Sequence, residues 1–135
     1  MKPTTTKPKT PLTRGPVQCH RPADFPGRAD VNAMDQHYLS EDFSGLSHWD
    51  LKPGSKPIYK KDSGTHDISY EYEARWIDGC EMTVPSQSFQ NPLGEGNGDI
   101  TAYLLVREDF TKCNNGGIGG WTQVGCLKYT IWGGR

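Results

Sequence analysis

The sequence predicts a small, disulfide-stabilised α+β domain: an antiparallel sheet with one main helix packed on one face. Three observations predict it. Apolar residues alternate along 68–76, a helical apolar stripe follows Asp99, and four widely spaced cysteines punctuate a polar chain. The signals run in the order strand, strand, helix, strand.

The densest apolar stretch is 94–134, and the helix lies inside it. Asp99 offers a side-chain oxygen to the N–H groups at the helix start. Ile100, Tyr103, Leu104, Val106 and Phe110 form the apolar stripe. Asn114, Asn115, Gly116 and Gly117 stop the helix, because Asn and Gly accept positive φ at a helix C-terminus. Residues 124–132 carry Val, Cys, Leu, Tyr, Thr, Ile and Trp with little charge, which predicts one long final strand.

Two shorter strands precede the helix. Ile68, Tyr70, Tyr72, Ala74 and Trp76 alternate with Ser69, Glu71, Glu73 and Arg75, and Cys80, Met82 and Val84 alternate with Glu81 and Thr83. A three-residue loop at 77–79, with Gly79 left-handed, puts both apolar sets on one face, so 68–76 is expected to pair with 80–84. Pro85 then ends the strand.

The first half reads differently. Residues 1–18 are expected to be a disordered tail rich in Thr, Pro and Lys, and residues 19–135 a single domain. Within 19–64 the expectations are a short helix over 31–39, a turn with buried Phe43 and Trp49, and a proline-kinked loop at 52–57.

Composition bounds the function. At 135 residues the chain makes one domain at most, and 33% hydrophobic content supports only a modest core. The net charge of −1 gives no general attraction to nucleic acid, and no stretch reaches transmembrane length. Zinc sites need paired ligands such as C-x-x-C, which are missing, so the four cysteines read as two disulfides in a secreted protein. Met1 is followed by KPTTTKPKTP, without the apolar core of a signal peptide. The expectation is therefore a fragment, a mature form, a truncated gene model or a non-classical export route.

No constellation points clearly to catalysis. His20, His37, His48 and His66 all lie in the first half. His37 with Asp35, or His48 with Asp50, could hold a metal, although isolated surface histidines are commoner. Glu71, Glu73 and Arg75 share one side of a strand, as in small fungal ribonucleases. Those enzymes take a further histidine from later in the chain, so the three are expected to form a solvated face that can be neutralised without harm to the fold. The G-x-S-x-G elbow is missing, and the glycines at 116–120 lack the Gly-Lys-Ser/Thr ending of a phosphate loop. Tyr70, Tyr72, Trp76, Trp121 and Trp132 are candidates for a surface binding platform that stacks sugars, against the commoner reading of strand aromatics as core. Neither a cofactor nor a metal is expected.

From Gly79 onward the pattern resembles the fungal necrosis-inducing factor family, secreted effectors related to the extracellular effector of tomato leaf mould. The matching pieces are Gly79-Cys80-Glu81-Met82-Thr83-Val84, Gly96-Asn97-Gly98-Asp99-Ile100, Gly117-Ile118-Gly119-Gly120, and Val124-Gly125-Cys126 running to Trp132. The resemblance covers residues 19–135, most closely the last 57 or so. The family usually has a second cysteine between the first and the hairpin strand; here Cys113 ends the helix instead. The family is also similar to the smut killer toxins, small disulfide-bonded α/β sandwiches. The resemblance implies a secreted, non-enzymatic effector or toxin-like protein acting on a host or competitor target. It carries no catalytic residues with it. The alternatives are a carbohydrate-binding module for cell-wall polysaccharide such as chitin or glucan, and a small secreted hydrolase. Four cysteines allow three pairings. The favoured one joins Cys80 to Cys126, linking hairpin to last strand, and Cys19 to Cys113, linking the irregular first half to the helix end.

Overall fold

The computed structural model describes residues 9–25, 31–46 and 49–134. In chain order its elements are β1 (Gln18–Cys19), α1 (Ala33–Ser44), β2 (Asp50–Leu51), β3 (Ile58–Ser63), β4 (Ser69–Trp76), β5 (Gln87–Ser88), α2 (Ala102–Thr111), β6 (Gly120–Val124) and β7 (Leu127–Gly133). Five strands form an antiparallel sheet in the order β1-β6-β7-β4-β3, while β2 and β5 form a separate pair. Both helices contact one another; α2 packs on β6 and β7, and α1 on β4. The α+β class therefore holds, and the short helix expected at 31–39 joins the main one in the helical layer.

The period-two stretch becomes β4, and Tyr70, Tyr72, Ala74 and Trp76 are buried as its alternation requires. Its partners differ from the expectation. β4 lies between β3 and β7, with Ala74 opposite both Ile58 and Tyr129. Residues 80–84 form no strand. The Cys80 N–H donates to the Ile77 carbonyl at 3.0 Å and closes a tight turn, with Gly79 at φ 75°. The reason is length and matching. β7 offers seven consecutive pairs with Leu127, Tyr129 and Ile131 on the buried side, more than 80–84 can supply. β3 gave no periodic signal because Lys60 and Asp62 fill helix-side positions, where they form an ion pair at 3.2 Å.

The expected final strand is two strands. β6 and β7 meet at a Gly125–Cys126 turn, with Val124 opposite Leu127. Gly125 has φ 60°, and a Cβ there would lie 2.8 Å from Gln87 Oε1, so any other residue would be strained.

Both helices start on side-chain caps. Asn32 Oδ1 accepts from the N–H groups of Met34 (2.8 Å) and Asp35 (3.1 Å), and α1 runs past the expected 31–39 to Ser44. Its buried positions are Gln36, Ser40 and Phe43, which is why its apolar periodicity is weak. Thr101, not Asp99, caps α2, with Oγ1 accepting from Leu104 N–H at 3.1 Å. The buried side of α2 is Ala102, Leu105, Val106 and Asp109, whereas Tyr103 and Leu104 are half-buried. Phe43 enters the core beside Tyr72 and Phe89, at ring distances of 5.4 and 5.3 Å. Trp49, expected to be buried with it, is 77% exposed.

Much of the expected tail is docked. Residues 1–8 lie outside the described residues, but Thr10 N–H donates to Glu81 O (2.7 Å), Gly125 N–H to Thr13 O (2.9 Å) and Gly15 N–H to Gln123 O (2.8 Å). Leu12 packs against the core and Arg14 ion-pairs with Glu108. Composition hid this strap because its attachment is mostly backbone hydrogen bonding, which side-chain chemistry does not advertise.

The two disulfides are Cys19–Cys113 and Cys80–Cys126, as favoured, with Cα separations of 5.4 and 5.7 Å. The Cys80–Cys126 bond closes a sequence separation of 46 residues. The chain-entropy argument then gives about 4 kcal/mol, so the double variant Cys80→Ala/Cys126→Ala should lose about that much stability in urea unfolding.

Asp109 supplies a second test. It is fully buried, accepts from the Thr122 hydroxyl at 2.6 Å through Oδ1, and its Oδ2 has no hydrogen-bond partner among the described residues. Burial pushes its pKa up to about 8, against the opposing pulls of the Thr122 bond and the Arg14 charge. Between the ordinary carboxylate value and about pH 8 the folded chain holds a proton that the unfolded chain has lost. This group therefore makes stability fall as pH rises through that window, with no further effect above it. Urea unfolding of Asp109→Asn at pH 4, 6 and 8 should show a flatter pH profile than the parent.

Candidate functional site

Alternation sends every second residue of each strand away from the helices, and these residues share the open face of the sheet. From β4 come Glu71, Glu73 and Arg75; opposite them on β7 stand Trp132, Thr130 and Lys128. β3 adds Lys61 opposite Glu71 and Tyr59 opposite Glu73. β6 adds Trp121 opposite Thr130 and Gln123 opposite Lys128, and β1 adds Gln18 opposite Trp121.

The charges on this face are arranged, not merely solvated. Glu71 is only 7% exposed, and the Tyr59 hydroxyl donates to its Oε1 at 2.6 Å. Arg75 and Lys128 stand directly opposite each other, a repulsive pairing in a sheet. Each finds compensation. Arg75 Nη1 lies 3.8 Å from Glu73 Oε1, and Lys128 Nζ sits 4.5 Å from the Trp121 ring centroid. Thr130, opposite Glu73 on the same side of β7, is 2% exposed.

His20 joins this face, which the sequence reading did not foresee. Its N–H donates to Gly119 O at 2.9 Å, extending the β1–β6 ladder. Its ring stacks on Trp132 at 5.9 Å with 5° between planes, and Nε2–H donates to Ile131 O at 2.8 Å. Trp132 is the register partner of Glu71, so a histidine from the first half reaches the row of the sheet that holds a carboxylate. Asn115 holds the approach. Its amide donates to His20 O (2.9 Å) and Gly119 O (2.8 Å), and its Oδ1 accepts from Gly119 N–H (3.2 Å). The glycine run forms a turn, with Gly117 and Gly119 both at φ 87°.

The five aromatic candidates divide. Tyr70, Tyr72 and Trp76 are core residues, at most 5% exposed, and cannot form a surface platform. Their alternation places them under the helices. Trp121 and Trp132 are half-buried on the open face. The metal candidates also separate. Asp35 accepts from the N–H and hydroxyl of Thr65 at 2.8 and 2.6 Å, while His37 turns to the Tyr103 hydroxyl (2.6 Å) and to Glu41 (3.3 Å). The pairing of His48 with Asp50 involves a residue outside the described set. Among the described residues no group of three or more His, Cys, Asp or Glu side chains gathers as a metal site, and no helix is long and apolar enough to cross a membrane.

Comparison with family models, curated proteins and solved structures returns no match.

The two strand glutamates should respond differently to truncation. Glu71→Ala removes the bond from the half-exposed Tyr59 hydroxyl to a nearly buried carboxylate and should cost about 1 kcal/mol. Glu73→Ala, at a long, partly exposed ion pair of 3.8 Å with Arg75, should stay within about 0.5 kcal/mol. Paired denaturant curves check both.

Proposed function

We propose that this is a secreted effector- or toxin-like protein that acts by binding a target outside the producing cell, with the open sheet face as its contact surface. The observation that carries this reading is the pairing of two disulfides with a sheet covered by helices on one side only. Disulfides persist in oxidising compartments outside the cytosol. The face without helices presents two half-buried tryptophans beside both signs of charge, a composition suited to recognition. The resemblance to the necrosis-inducing factor family supports the same assignment. The carbohydrate-binding alternative draws on Trp121 and Trp132, the two candidate aromatics that remain at the surface.

Infiltrated into responsive plant leaves, or added to sensitive fungal cells, the oxidised protein should cause death or growth arrest in a dose-dependent way. Reduction and alkylation should abolish the effect. The double variant Arg75→Ala/Lys128→Ala should weaken it while leaving the unfolding curve nearly unchanged. An undiminished effect in that variant would move the contact surface elsewhere, and harmlessness across several hosts would sink the reading.

A further inference from the structure

The N-terminal segment does not run in register along β6. Gln18 pairs with Trp121 and Cys19 with Gly120, yet Arg14 bridges Val124. Between those points the segment carries one residue more than its partner, which is a β-bulge. Pro16 lies within it and has no N–H to donate to the ladder. Beside this mismatched stretch, which Gly15 N–H holds to Gln123 O at 2.8 Å, lies a cleft of about 190 Å³, lined by Pro11, Thr13, Pro16, Gln18, Trp121 and Gln123 among others.

We propose that this cleft binds one neutral pyranose unit of a glycan. The lining has the two halves that a sugar ring needs. Trp121 and the prolines give apolar surface for the C–H face of the ring, while the Gln18 and Gln123 amides and the Thr13 hydroxyl meet its hydroxyl edge. Lys128 lies over one side of the Trp121 ring and fixes its plane. Gln123 Nε2 already donates to Gly125 O at 2.9 Å, which orients its amide. None of the lining side chains is ionisable, so the lining itself offers no counter-charge to a phosphate, carboxylate or ammonium ligand, and the Lys128 ammonium beside it is engaged by the Trp121 ring. The volume equals roughly six waters at ~30 Å³ each, room for a single ring. The inference deepens the functional proposal and rests on its assignment of the open sheet face, since Gln18, Trp121 and Gln123 belong to that face.

The test is an NMR titration of the full, oxidised, isotope-labelled chain with methyl β-glucopyranoside, N-acetylglucosamine and methyl α-mannopyranoside. Glucuronate and glucosamine serve as charged controls, and a proline-rich peptide as the rival occupant. At least one neutral sugar should saturate, with shifts centred on Gly15, Gln18, Gln123 and the Trp121 indole N–H. The charged controls should bind more weakly. Trp121→Ala should abolish the shifts; because it could also disturb the sheet, Gln18→Ala at the exposed rim is the second variant. Losing its hydrogen bond should weaken binding by about 3- to 10-fold. Saturation by none of the neutral sugars, shifts mapping away from the cleft, undiminished binding by Gln18→Ala, or saturation by the peptide alone would each overturn the proposal. The two readings fail separately. Sugar binding by a chain harmless to every cell removes the toxin assignment and keeps the cleft, while toxicity without sugar binding removes the cleft alone.

Discussion

The pairing of β4 with β7 is the constraint on which the rest of the molecule depends. It runs from Tyr70↔Gly133 to Trp76↔Leu127, and it decides the face of every side chain on both strands. In this register Tyr70, Tyr72, Ala74 and Trp76 join Leu127, Tyr129 and Ile131 in one apolar layer. A slip of one residue on β4 would put Glu71, Glu73 and Arg75 beneath the helices. Both ends are pinned. Gly134 N–H donates to Ser69 O at 2.7 Å, and Ile77 N–H donates to Cys126 O at 2.8 Å. The Cys80–Cys126 bond clamps the second end, where Trp76 Nε1–H also donates to Cys80 O at 2.9 Å. Covalent and hydrogen-bonded constraints thus coincide where the chain leaves β4.

Above that layer, directional polar contacts do what an apolar stripe does in most helical layers. Gln36 is buried in α1 and acts as a hub. Its Nε2 donates to Ser40 Oγ (2.8 Å), its Oε1 accepts from Arg107 (2.5 Å), and its backbone carbonyl accepts from Ser40 (2.7 Å) and Tyr72 (3.2 Å). Burial holds the Tyr72 hydroxyl protonated far above the ordinary tyrosine range, so it remains a donor. Such a network fixes the relative placement of α1, α2 and β4 more narrowly than apolar contact alone, because each missing partner would leave a desolvated polar group. Gln87 plays the same part beside the second disulfide. Its amide donates to Pro92 O (3.2 Å) and Val124 O (2.9 Å) and accepts from Cys126 N–H (2.8 Å).

What was legible in the sequence follows from this division. The buried face of β4 was legible because four apolar residues alternate with polar ones, and alternation has one structural meaning. The bridges were legible as ties between distant parts of the chain, one from the hairpin segment to the last strand and one from the irregular first half to the helix end. The partner of β4 was not legible. β3 turns Lys60 and Asp62 toward the helix side, and a charged edge strand carries no period-two signal. The helix face of α2 was misjudged by the position of Asp109, a residue type that is seldom fully buried. Gln36, Gln87 and Asn115 escaped for the same reason. His20 escaped because strand pairing, not sequence distance, brings it to Trp132.

The open face is itself a consequence of composition. A chain with 33% hydrophobic residues has enough apolar side chains for one buried layer. Those residues go to the helix side, and the far side of the same strands keeps Glu71, Glu73, Arg75, Lys128 and Thr130. The irregular N-terminal segment cannot contribute a second apolar layer. It attaches instead through the Cys19–Cys113 bond and backbone hydrogen bonds at the β6 edge. Apart from Leu12, which packs on the core, and Arg14, which pairs with Glu108, attachment by backbone leaves its side chains uncommitted, and prolines, threonines and Gln18 line a cleft there. The chain that spends its apolar residues on one side of a sheet thereby presents aromatic, amide and charged groups together on the other, where a bound ligand would supply the layer that the sequence does not.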